Sequence, residues 1–318
     1  MNKRTSTLLI YFGIIICTLL LRISFQLKFV ESAFSDQIWD ICVQVFIFGT
    51  MPLFLYFVIN KQGNILRVGN IFTDFGFRKL GWKNMLLVIP TTMLMIFISM
   101  CIVNVWSDIL TLLGYTKVTS EIDYYNVGVL FRELFFTACL PGFFEEFTHR
   151  GFLFAGLKGN TKGVWLIILT SVFFGFMHQN VYQIIYTIVD GAVMGLVTYY
   201  TGSIFSGMLC HVCNNAFNVL LDYLYQISPT IKSIYNSIYM FMAGNIFGVL
   251  MTLFLFIASI ILLVLIFMYY RKQAVNRDIL PSSELVEKFT IADIVLIVGI
   301  IMIGIVAVSF SFVWGLML

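Results

Sequence analysis

One stretch constrains this chain more than any other: Phe143-Phe144-Glu145-Glu146-Phe147-Thr148-His149-Arg150-Gly151. It lies inside an otherwise apolar run from Leu134 to Leu157, and ~20 such residues suffice to cross a bilayer. A charged side chain at bilayer depth costs at least ~2.5 kcal/mol on insertion scales. Three charges and a histidine within six residues must therefore face the protein interior or a wet cavity. They form either a functional site or an ion cluster that locks helix packing, and intramembrane ionisable groups favour the first.

The surrounding composition supports a membrane setting. The chain is 60% hydrophobic and 11% charged, against ~45–50% and ~25% in a soluble domain. The longest polar stretch, Arg271 to Lys288, is too short to bury a core of its own. The expected fold is all-α: one polytopic transmembrane helical bundle over residues 1–318, with about 8–9 spans. A formal charge of +3 without a basic, aromatic-laced stripe argues against nucleic acid as a partner. The cysteines lie in apolar segments and read as packing residues, including the Cys210-x-x-Cys213 pair. The basic, then apolar start at Met1 has no small-residue cleavage site and reads as an uncleaved first span.

Hydropathy divides the chain into nine candidate spans: Thr7–Leu21, Ile38–Ile59, Met85–Trp106, Leu134–Leu157, Val164–Met177, Val181–Tyr200, Ile204–Leu224, Met240–Tyr270 and Ile291–Leu316. Basic residues orient them. Lys3 and Arg4, then Lys61, Arg67, Arg78, Lys79 and Lys83, then Lys158 and Lys162, then Arg271, Lys272, Arg277 and Lys288 all fall on one side. That side is expected to be cytoplasmic, so the N-terminus lies inside a multi-pass protein of the cell membrane. Aromatic and basic residues from Asn70 to Asn84 suit either a segment lying along the interface or an anchored loop. Gly191 and Gly195 carry a G-x-x-x-G spacing for close helix approach. Pro141 can free a backbone carbonyl near the carboxylates. Asp190, a mid-span carboxylate, is expected to pair with Arg150 or another buried cation.

Chemistry concentrates in the middle third. The three histidines, His149, His178 and His211, all fall there. On a helix, residues four apart share a face, so Glu146 pairs with Arg150 and Glu145 with His149. Arg150 can hold Glu146 ionised, which leaves Glu145 free to take up and release a proton. Phe174 and His178 form another such pair. His211, Asn214, Asn215 and Asn218 form a polar stripe on an apolar helix, and unsatisfied polar groups there cost several kcal/mol each. Glu145 with His178 can deprotonate a water. His211 with Asn215 can donate to a developing oxyanion. The same Glu145, His178 and His211 could instead hold a divalent metal such as zinc, so the cofactor is none or a metal.

In this order, Glu145-Glu146-x-x-x-Arg150-Gly151, Phe174-x-x-x-His178 and His211-x-x-x-Asn215 resemble the CPBP family, the CAAX-protease and bacteriocin-processing (Abi) intramembrane endopeptidases. The resemblance covers roughly 134–224, a catalytic core flanked by transmembrane helices in 1–133 and 225–318. It implies that Glu145 activates water with His178 as partner. His211 and Asn215 would polarise the substrate carbonyl, with Glu146 and Arg150 in support. Phe174 and Asn218 are expected to contact substrate. The partners would be a membrane-associated peptide or protein and the lipid bilayer itself, in peptide maturation, peptide-toxin immunity or CAAX-type processing. Two other readings compete: a non-catalytic membrane interaction protein on the same fold, and a proton-coupled transporter using Glu145, Asp190 and the histidines.

Overall fold

Arg4, Glu146, His149, Arg150, Asp190 and Asp293 are buried, whereas Leu112, Phe254 and Val298 face outward. A polar interior under an apolar surface is what a hydrocarbon solvent selects, because only internal partners can satisfy polar groups there. The computed structural model describes residues 3–26, 41, 43–54, 57, 69–117, 122–158, 161–277, 279–280 and 288–317. The helices are α1 (Lys3–Gln26), a π-helical stretch Val43–Thr50, α2 (Gly69–Asp74), α3 (Trp82–Leu112), α4 (Val127–Leu157), α5 (Gly163–Met177), α6 (Ile184–Thr201), α7 (Ile204–Ile227), α8 (Pro229–Gly244), α9 (Ile246–Asn276) and α10 (Ile291–Leu316).

Seven of these helices are long and apolar enough to span a membrane, and Val43–Phe54 and Gly163–Met177 are shorter apolar helices. The all-α polytopic bundle expected from hydropathy is therefore the fold. α5, at ~22 Å, is too short for the full hydrocarbon thickness. Its C-terminal end brings His178 to the site. The expected span Met240–Tyr270 is corrected. The chain breaks at Asn245, whose side chain caps α9 by accepting from the Gly248 N–H at 2.8 Å, so Met240 belongs to α8. Part of the expected span Ile38–Ile59, with Lys61 and Arg67, lies outside the described residues.

Helix packing follows from small residues at the contacts. A Cβ on Gly191 would lie 3.2 Å from the Ser171 backbone, and one on Gly195 would lie 3.4 Å from Ile167. The G-x-x-x-G face of α6 thus lets α5 approach closely, as expected. The segment from Asn70 to Asn84 does not simply lie along an interface. Phe72 and Trp82 are exposed, but Phe75 is buried and packs edge-on against Phe147 and Phe152 of α4. The Gly76 carbonyl accepts from the Ile204 N–H, and Ser203 donates to the Arg78 carbonyl. The loop is a wedge that fixes the starts of α7 and of the last turns of α4.

Contacts also define the two ends of the bundle. At one end Arg4 meets Lys288 and Asp293, Tyr270 meets Asn84, and Ser203 meets Arg78. At the other, Arg22 meets His178, Trp106 meets Val181, Thr116 meets Gly315 and Gln226 meets Ile122. The basic clusters that are described gather at the first end.

α1 and α10 are locked there by a buried ion pair. Arg4 Nη2 lies 2.8 Å from Asp293 Oδ2, and Thr5 Oγ1 donates to Asp293 Oδ1 at 2.6 Å. Removing one partner of a fully buried pair strands the other charge, at a cost of about 3–5 kcal/mol. Asp293→Ala should therefore lower the thermal unfolding midpoint in detergent sharply. The double variant Arg4→Met/Asp293→Leu should recover most of that loss. Equal midpoints for Asp293→Ala and wild type would contradict the clamp.

Candidate active site

α4 is not one regular α-helix. Leu134–Cys139 and Phe147–Leu153 are π-helical, and Leu140–Glu146 between them is α-helical. A π segment inserts a residue per turn and re-aims the side chains around it, a device common at functional sites. Pro141 contributes to the first distortion. In an α-helix the Thr137 carbonyl would accept from the N–H of residue 141, which proline lacks. Asn215 Nδ2 donates to it instead, at 2.9 Å. The carbonyl expected to be freed near the carboxylates is thus Thr137 O, and it anchors α7 to α4.

Glu146 and Arg150 form the pair that spacing predicts. Arg150 Nη1 donates to Glu146 Oε1 at 2.6 Å, and both side chains are sealed from solvent. The other guanidinium nitrogen, Nη2, donates to the Gly191 carbonyl of α6 at 2.8 Å. His211 Nδ1 approaches the same Glu146 oxygen at 3.2 Å. One carboxylate oxygen therefore joins α4, α6 and α7. Asp190 is a correction: it makes no hydrogen bond to Arg150, whose Nη1 and Nη2 go to Glu146 and Gly191. It accepts from Ser99 Oγ of α3 at 2.5 Å instead.

Glu145 points elsewhere. Its Oε1 accepts from Gln44 Nε2 at 3.0 Å. Its Oε2 is buried with no hydrogen bond from the described residues. The expected Glu145–His149 side-chain pair is also corrected. His149 Nδ1 meets the Glu145 backbone carbonyl at 2.8 Å, not the carboxylate, and its Nε2 meets the Tyr11 hydroxyl at 2.8 Å. With both nitrogens occupied and no exposed surface, His149 is a support for the backbone at Glu145.

Phe174 organises the imidazoles. Its ring stands edge-on to His149, His178 and His211, with centroids 5.0, 4.9 and 5.7 Å away, and the Arg150 guanidinium lies 4.6 Å from its centre. Edge-to-face rings and a stacked cation are each favourable by roughly 0.5–1.5 kcal/mol. Phe174 is only 2% exposed, and its ring packs against all three imidazoles. His178 Nδ1 faces the Phe174 carbonyl at 2.9 Å. A carbonyl only accepts, so Nδ1 carries the hydrogen and Nε2 is left with its lone pair. His178 lies in electrostatic range of Glu145 and His211. Asn218 is exposed, further along the face of α7 that carries His211 and Asn215. Cys210 accepts from Thr92 and packs against Met95, as a packing residue should.

Glu145, His178 and His211 are the donors a metal would need. Among the described residues, no three His, Cys, Asp or Glu side chains converge as a ligand set, so no step is routed through a metal.

Sequence reasoning missed Gln44, Tyr11, Arg22 and Thr137. Gln44 had a usable signal, being a lone amide in an apolar span. Tyr11 had none, because a tyrosine in a membrane helix is ordinary.

Residues 128–217 match a family model described as type II CAAX prenyl endopeptidase Rce1-like. The matched segment contains the three motifs on which the CPBP resemblance rests, and over that segment the chain is similar to a CAAX-type intramembrane protease. Searches of curated proteins and of solved structures returned no match.

Gly207 of α7 is what lets Glu146 sit where it does. A Cβ there would fall 2.7 Å from Glu146 Oε2 and 2.6 Å from Thr198 Oγ1. Gly207→Ala should destabilise by about 1–3 kcal/mol through overpacking and disturb the Glu146–His211 contact. Gly195→Ala, with 3.4 Å to its neighbour, is the control. Unfolding midpoints and proteolytic activity should both fall more for Gly207→Ala; equal effects would contradict this account of the contact.

Proposed function

We propose that this protein is an intramembrane endopeptidase that hydrolyses a peptide bond of a membrane-associated peptide or protein. The observation that carries this reading is the division of labour between two adjacent carboxylates. Each keeps its Oε2 buried without a hydrogen bond from the described residues. Glu146 Oε1, however, takes both Arg150 and His211, whereas Glu145 Oε1 takes only the neutral Gln44 amide, so its charge is left without a cation among the described residues. His178, whose Nε2 has no hydrogen bond from the described residues, lies in electrostatic range of Glu145.

The chemistry follows from those atoms. Glu145 Oε2 and His178 Nε2 hold a water and orient its lone pair at the scissile carbonyl. The water oxygen bonds to that carbon as Glu145 takes its proton. The carbonyl oxygen becomes an oxyanion. One Asn215 amide hydrogen is used by Thr137 O, and the second is free to donate to it. His211 Nε2 donates as well when the imidazole carries both protons, a form that Glu146 at 3.2 Å supports electrostatically. The C–N bond then breaks as Glu145 passes the proton to the leaving amine. Acid and base roles fall on one carboxylate, and Glu146 only holds the frame.

Exposure rises from Glu146 and Arg150 towards His178, Asn215 and Asn218. Substrate therefore enters from the end of the bundle opposite the basic clusters, and Asn218 meets it on the way. We place the basic end, with the N-terminus, in the cytoplasm of a cell-membrane protein. The substrate class is that of peptide maturation, peptide-toxin immunity or CAAX-type processing.

Glu145→Gln and His178→Ala should each lower cleavage by ~100-fold or more, the usual contribution of a general base, with expression and folding retained. Comparative peptidomics of membranes carrying wild type or Glu145→Gln should show a precursor accumulating in the variant. Identical peptidomes, with both proteins present, would remove the peptidase reading and favour a non-catalytic interaction protein.

A further inference from the structure

α1 lies outside the matched segment 128–217, yet it reaches both chemical groups of the site. We infer that α1 is a positioning element of the active site, with Arg22 holding His178 in its working position; the inference rests on the proposed peptidase function.

His178 closes α5, where a helix runs out of backbone donors for its last carbonyls. The final turn tightens: the His178 N–H bonds to the Gly175 carbonyl at 3.2 Å and the Gln179 N–H to the Phe176 carbonyl at 3.1 Å. The chain then turns through Gln179 at φ +50°, a left-handed conformation that a side-chain-bearing residue seldom adopts. Such a turn persists only where its surroundings hold it.

The holder is α1. Arg22 Nη1 donates to the His178 carbonyl at 3.0 Å and also to the Gln179 carbonyl. Gln179 Nε2 donates to Thr18 Oγ1 at 2.9 Å. Thr18 and Arg22 are one turn apart and share a face of α1. The guanidinium satisfies two orphan carbonyls and places a positive charge at a helix C-terminus, where the dipole favours it. Because His178 Nδ1 is tied to the Phe174 carbonyl, fixing the backbone of residue 178 also fixes the direction of Nε2.

The same face of α1 supports Glu145. Tyr11, two turns before Thr18 and three before Arg22, bonds His149 Nε2 at 2.8 Å and the Phe173 carbonyl at 3.1 Å. His149 in turn bonds the Glu145 carbonyl. One helix thus sets the distance between the backbones that carry Glu145 and His178. Arg22 acts through the backbone of His178.

The test compares wild type, Arg22→Ala, Arg22→Lys and Glu145→Gln in detergent or nanodiscs, on a substrate identified from the peptidome. Arg22→Ala should lower kcat by ~100-fold, the scale of a 1 Å misplacement, with KM nearly unchanged. Arg22→Lys should recover part of kcat, because an ammonium can still reach one carbonyl. Hydrogen exchange should rise in Arg22→Ala at residues 176–184 and stay unchanged in α9 and α10. Wild-type kcat and exchange in Arg22→Ala would overturn the inference. So would a chain-wide rise in exchange, or Lys performing no better than Ala, since Arg22 would then be a general stability residue. Full activity of Glu145→Gln would instead refute the peptidase reading, while the exchange experiment would still decide whether Arg22 holds the α5 terminus.

Discussion

The buried pair of Glu146 and Arg150 is the constraint on which the rest of the structure depends. Two opposite charges 2.6 Å apart, both sealed from solvent, tolerate no slack, because an unpaired charge inside a membrane bundle is among the costliest defects available. The pair therefore dictates its surroundings. α6 must supply the Gly191 carbonyl, α7 must bring His211 to the same carboxylate, and Phe174 must lie under the guanidinium. Three helices are registered by one ion pair. Gly207 lets Glu146 approach α7, and Gly191 lets Phe174 lie close against α6.

That frame gives adjacent glutamates opposite fates. Consecutive residues on a helix point about 100° apart. When Glu146 is turned into the ion pair, Glu145 is turned towards Gln44 and His178. Pro141 leaves the Thr137 carbonyl without its helical donor, and Asn215 takes it. Local backbone irregularity and the catalytic proposal are linked: a residue with an N–H at position 141 would compete with Asn215 for its anchor.

Much of this was legible in the sequence because the membrane makes polar residues expensive. The bundle, the placement of Ile291–Leu316, the Glu146–Arg150 pair and the close face at Gly191 and Gly195 all follow from cost and period alone. What was not legible involves backbone groups and residues distant in sequence. His149 was expected to meet the Glu145 side chain but takes its carbonyl. Asp190 was expected to meet a cation but takes the hydroxyl of Ser99. A carbonyl looks the same at every position in a sequence, so its partners cannot be read from residue types. The break at Asn245 was missed because apolar residues continue through it, and hydropathy does not register a cap. The roles of Tyr11 and Arg22 depend on α1 docking beside α5, a contact that no local pattern encodes.

The central claim is that Glu145, and not Glu146, holds the reacting water. A density map of the protein in nanodiscs, at a resolution that shows ordered water, tests this most directly. The account predicts a water between Glu145 Oε2 and His178 Nε2, with Glu146 still bound to Arg150 and His211. A water held instead by Glu146, or a His178 ring turned away from Glu145, would contradict it.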